Sequence, residues 1–84
     1  MEKRVGTALI LLEEREVAQQ LNEIISKHSH IIIGRQGLPR SSGHGLISLV
    51  LEGNTDEIGS LTGQLGRLKG IQVKSLLLKN LYNE

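Results

Sequence analysis

The sequence predicts an α+β sandwich, a four-stranded antiparallel sheet with two helices on one face in the order β-α-β-β-α-β. Three observations predict it. Each half of the chain reads as strand, helix, strand. A short Pro-, Ser- and Gly-bearing gap joins the halves as a hairpin. The two most apolar strands are the first and third, and right-handed crossovers place those in the centre of the sheet.

"KRVGTALILL", Lys3 to Leu12, is apolar on both parities near its end, which suits a central strand. In "EEREVAQQLNEIISKH", Val17, Leu21, Ile24 and Ile25 recur on one helical face. Glu13, Glu14 and Glu16 stand at its start and Lys27 at its end, as the helix dipole favours, but no Ser, Thr, Asp or Asn caps it. "HIIIGRQG", His30 to Gly37, is a β-branched strand, "LPRSSG" a loop and "HGLISLVLEG" a third strand. In "NTDEIGSLTGQLGRLKG", Asn54 and Glu57 have capping-box spacing. Ile58, Leu61, Leu65 and Leu68 form the apolar stripe of this helix, and Gly70 is placed to end it. "IQVKSLLL" is the last strand, and the tail "KNLYNE" carries no pattern. The expected arrangement is ferredoxin-like.

Eighty-four residues without a linker or low-complexity segment make one domain, residues 1–84. A chain of this size buries only about 60–65% of its unfolded surface, so its core is thin. No cysteine is present to staple it, and the aromatic content is one tyrosine, so the core must be Leu, Ile and Val. The net charge of +1 lacks the basic excess that nucleic-acid binding calls for. RNA-recognition modules share the element order but stack bases on central-strand aromatics, and none stands here. No apolar run approaches a membrane span of about 20 residues and no signal-peptide region opens the chain, so the expected location is the cytoplasm. No nucleophile–base ordering or carboxylate pair stands out, which predicts a non-enzyme, and no motif indicates a cofactor.

Two features predict self-association. The central strands are apolar on both parities: Leu9, Leu11, Ile47, Leu49 and Leu51 on odd numbers, Ala8, Ile10, Leu12, Leu46 and Val50 on even ones. One set faces water unless another subunit, or the tail, covers it. Ile31, Ile32 and Ile33 also form an uncharged edge, of the kind proteins normally blunt. The expectation is a homodimer or tetramer burying the free sheet face, the isoleucine edge, or both. Gly59, Gly63 and Gly66 form a stripe turned away from the apolar stripe of the second helix. They imply either close approach of a partner helix or ligand, or a helix that tolerates weak formers.

His28, His30 and His44 are candidate metal ligands or ordinary histidines at element ends. His44 lies at the far end of the hairpin, roughly 23 Å from the other two at about 3.3 Å per residue, so a shared metal would need two subunits. "GRQGLPRSSGHG", with Arg35 and Arg40, lacks the GK[ST] of a phosphate loop and leads into a strand; it reads as a weak anion holder or a solvated turn.

"IIIGRQGLP", "ISLVLEGNTDEIGSLTGQLGRLKG" and "VKS" resemble the family of iron-only hydrogenase system regulators, from about Lys3 to Leu77. The resemblance implies an ACT-like fold and a regulatory role, inferred largely from members being encoded near hydrogenase maturation proteins. The wider ACT-like group includes small-molecule sensors and the metal-sensing domain of a nickel-responsive repressor. Unlike that repressor, this sequence shows no ribbon-helix-helix, so the resemblance implies action through a partner, such as a hydrogenase maturation or regulatory protein. In ACT-type dimers, ligands sit where the turn after the first strand, here "LLEERE", meets a neighbouring subunit; the matching positions after the third strand are "LEGNTDE", where Gly53 and Asn54 allow close backbone approach and the helix start offers free N–H groups, so Gly53, Asn54 and Thr55 would contact a small acidic ligand or form an ordinary helix cap.

Overall fold

The structure, a computed structural model, describes residues 3–79. Strand β1 spans Arg4–Leu12, β2 Ile32–Pro39, β3 Gly45–Gly53 and β4 Ile71–Leu77. Helix α1 spans Ala18–Lys27 and α2 Thr55–Gly66. The sheet order is β2-β3-β1-β4, and all neighbours are antiparallel. Both helices pack on one face, as the element order requires.

The core lies between that face and the helices. Ala8 and Ile10 of β1 and Leu49 and Leu51 of β3 meet Leu21 and Ile25 of α1 and Ile58, Leu61 and Leu65 of α2. Register explains which strand residues take part. Ala8 pairs with Leu49 and Leu9 with Ser48, so even-numbered residues of β1 share a face with odd-numbered residues of β3. The sorting of both strands by one parity is therefore corrected. Ile47, Leu49 and Leu51 join Ala8, Ile10 and Leu12 toward the helices, while Leu9 and Leu11 join Leu46 and Val50 on the open face.

Helix α1 lacks a side-chain cap, and a 3-10 turn, Arg15–Val17, precedes it. The turn entering it is held from elsewhere: the Glu13 and Glu14 N–H groups both donate to the Gly70 carbonyl, at 2.8 and 3.1 Å. Gly70 thus stands in the turn before β4 with φ +87°, rather than ending α2, whose C-cap is Arg67. That backbone region strains residues with a Cβ. After β4, the Leu78 N–H donates to Val5 O, and the Arg4 guanidinium donates to Leu78 O through Nε and Nη2 at 3.1 and 2.8 Å. Residues 80–84 of the "KNLYNE" tail lie outside the described residues.

The isoleucine edge is also corrected. A 3-10 turn, Ser29–Ile31, delays β2 and sends Ile31 into the core at 2% exposure. Ile32 is half-buried. A register shift between Ile32 and Gly34 leaves Ile33 exposed. Ile31 is thus spent on the chain's own packing, and the bulge in the β2–β3 ladder bends this edge strand, one of the ways proteins blunt an edge.

Candidate functional site

Three regions gather the sequence-predicted residues. The first is the junction of β3 and α2. Asn54 caps α2: its Oδ1 accepts from the Glu57 N–H at 2.8 Å, and Glu57 Oε1 accepts from the Asn54 N–H at 2.9 Å. This is the capping box expected from spacing. Gly53 is buried, and a Cβ there would lie 2.8 Å from Ile31 Cγ2. The chain's own packing therefore calls for glycine at this position. Thr55 is exposed beside them.

The second region adjoins it. His28 is buried at the end of α1. Its Nδ1–H donates to the Ile24 carbonyl at 2.7 Å, covering one of the unpaired carbonyls of the last helical turn. Its Nε2 then accepts from the Ser60 hydroxyl of α2 at 3.0 Å. With both nitrogens engaged, His28 joins the two helices and has no lone pair left for a metal. His30 is exposed, with Nε2 at 3.4 Å from Glu57 Oε2. These groups and Lys27 and Asp56 border one shallow polar hollow. His44 precedes Gly45, which pairs with Pro39 and Leu12 at the opposite end of the sheet from the Ile32–Leu51 pair. Among the described residues, no three His, Asp or Glu side chains are grouped to hold a metal.

The third region is the open face of the sheet. Leu9, Leu11, Leu46 and Val50 lie there as the apolarity of the central strands required, and Leu9 is 49% exposed. The outer strands extend the patch. Leu38 of β2 pairs with Leu46, Leu76 of β4 pairs with Thr7 and is 73% exposed, and Leu78 follows. Val5, Thr7, Val50, Leu76 and Leu78 rim an apolar hollow at one end. Sequence reading missed Leu38, Leu76 and Leu78. The signal was the unbroken "SLLL" run, too long for a strand whose second face meets water. The glycine stripe lies elsewhere: Gly59, Gly63 and Gly66 are exposed, with nothing within 4 Å of a Cβ at any of them.

Solved structures share this architecture. The ACT domain of the GTP pyrophosphokinase of Chlorobium tepidum matches with a TM-score of 0.67 at 22% identity, over 100% of this chain and 96% of that one. The C-terminal domain of the MgtC protein from Mycobacterium tuberculosis matches with a TM-score of 0.67 at 10% identity, over 96% and 94%. At such identities the likeness is one of fold, the ferredoxin-like fold seen in that ACT domain. Protein TM1266 from Thermotoga maritima is 35% identical, with a TM-score of 0.86, over 93% of this chain and 100% of that one. Residues 4–75 match the model of the TM1266-like family, described as "Iron-only hydrogenase system regulator, putative". The chain belongs to that family. No curated protein matches it.

Proposed function

We propose that this protein is an oligomeric regulatory domain of an iron-only hydrogenase system that senses a small effector where two subunits meet. The observation that carries the reading is the open apolar sheet face on a chain of this regulator family. A face of this kind favours a covering subunit. Gly53, Asn54 and Thr55 remain the proposed ligand-contacting positions. They stand at a strand–helix junction next to a polar hollow on the helix side of the sheet, and a second subunit contact there, separate from the open face, would close the site. A metal is the second effector class. With His28 engaged inside the chain, its ligands would be His30 or His44, brought together from two subunits. We assign no catalytic role. The expected setting is the cytoplasm, with no direct contact to nucleic acid or membrane. Among the described residues, no helix is long and apolar enough to cross a membrane.

A second reading is a ligand-free interaction module that docks on a hydrogenase maturation protein through the glycine stripe of α2 or the apolar sheet. The exposed, unobstructed stripe favours it. Native mass spectrometry of the purified protein, repeated with nickel, zinc or iron and with a panel of amino acids, separates the two. A dimer or tetramer carrying added mass supports the sensor. An oligomer that takes up nothing supports the docking module. A monomer overturns the oligomeric reading.

A further inference from the structure

The strand register divides the open face into rows that cross the sheet. One row runs Gly34, Val50, Thr7, Leu76 from β2 to β4, and the next runs Gln36, Ser48, Leu9, Lys74. A third runs Leu38, Leu46, Leu11, Gln72. In the first row the smallest residue is at one end and a 73% exposed leucine at the other. In the second, small Ser48 stands beside Leu9.

We propose that two copies of this chain stack their open faces about a two-fold axis parallel to the strands, between β1 and β3. This rests on the self-association proposed above and adds the surface and the symmetry. Such an axis turns every row end for end, so each position meets its mirror position across the midline. Leu76 then lies over Gly34 of the second copy, Val50 over Thr7, and Leu9 over Ser48. In the Leu76–Gly34 and Leu9–Ser48 pairs a large side chain falls on a small one, the interdigitation that stacked sheets about 10 Å apart require. In the third row Leu46 meets Leu11, with Leu38 over Gln72 at the rim, and toward the other end of the strands Glu52 lies over Val5. Lys74 meets the carboxamide of Gln36 at the rim.

Other self-contacts are less well prepared. The β2 edge carries the bulge near Ile33 and ends in Pro39, which has no N–H to give a partner strand. Four strands at about 4.8 Å and three rows covering about 20 Å along them give a face of roughly 380 Å² in projection. It is below the ~800 Å² per partner of a standard interface, so the dimer dissociates on dilution.

The absence of cysteine allows a clean test. Gln36 and Lys74 sit on the two outer strands, about 14 Å apart within one copy, beyond the ~7 Å that a disulfide spans. Treating the Gln36→Cys, Lys74→Cys double variant with a short bismaleimide, which reaches across the ~10 Å between stacked sheets that a disulfide cannot span, should give a covalent dimer on a denaturing gel, and each single variant should not. Leu9→Lys, at an exposed position, should shift sedimentation to monomer with unchanged circular dichroism, while Ile33→Lys and Gly63→Leu leave the dimer intact. An oligomer that survives Leu9→Lys and forms no cross-link overturns the face-to-face dimer while the oligomeric regulator stands. A monomer at every concentration overturns both.

Discussion

The Ser60 hydroxyl of α2 lies 3.0 Å from Nε2 of His28, whose Nδ1 lies 2.7 Å from the Ile24 carbonyl of α1. One imidazole therefore closes the end of one helix and ties it to the other. Gln64 Nε2 donates to the same hydroxyl at 3.1 Å, so Ser60 both gives and receives.

The first prediction concerns this link. His28→Ala should lower stability by about 1–3 kcal/mol, because it removes both bonds of a buried polar ring. Ser60→Ala alone should cost about 1 kcal/mol. In urea unfolding, the double variant should lose less than the sum of the two singles. Strict additivity would mean that the bond contributes nothing.

Asn54 separates capping from ligand recognition. Asn54→Ala should cost about 0.5–2 kcal/mol through the lost acceptor for the Glu57 N–H. Asn54→Asp keeps that acceptor and should leave stability unchanged, while weakening any anionic effector by like charge. The check is thermal unfolding with and without the effector found by mass spectrometry. Equal ligand-induced stabilisation of the wild type and Asn54→Asp would remove Asn54 from the site.

Gly53→Ala should destabilise by about 1–3 kcal/mol, as overpacking of a filled core does. The added Cβ would press on Ile31 Cγ2 at 2.8 Å and on Glu57 Oε1 at 3.0 Å, disturbing the core and the capping box together. Chemical denaturation reads the loss directly. A neutral result would show that the β3–α2 junction yields, and that glycine there answers to something outside the chain.

Gly63→Ala carries the opposite sign. Nothing lies within 4 Å of the new Cβ, and alanine is favoured over glycine in a helix interior by about 1 kcal/mol. The unfolding midpoint should rise. A fall, at concentrations where the protein is assembled, would mean that a partner packs against this stripe.

Local signals were legible in the sequence where the cause is local. The capping box at Asn54 and Glu57 depends on residues three apart, and both of its bonds form. The weak start of α1 was visible in the lack of a capping side chain and emerges as a 3-10 turn. Ile31 was misplaced because its environment is set by Gly53, far away in the chain, whose missing side chain opens room for it. His28 gave no signal of its role, since its partner Ser60 is 32 residues away.

The sequence alone determined the element order, the antiparallel hairpin, the two central strands and the presence of surplus apolar surface, since each follows from periodicity, turn chemistry and chain connectivity. Only the tertiary structure decided where that surplus lies. In an antiparallel sheet, a one-residue change of register moves a whole strand's side chains to the other face. The pairing of Ala8 with Leu49 is what put Leu9, Leu11, Leu46 and Val50 together on the open side.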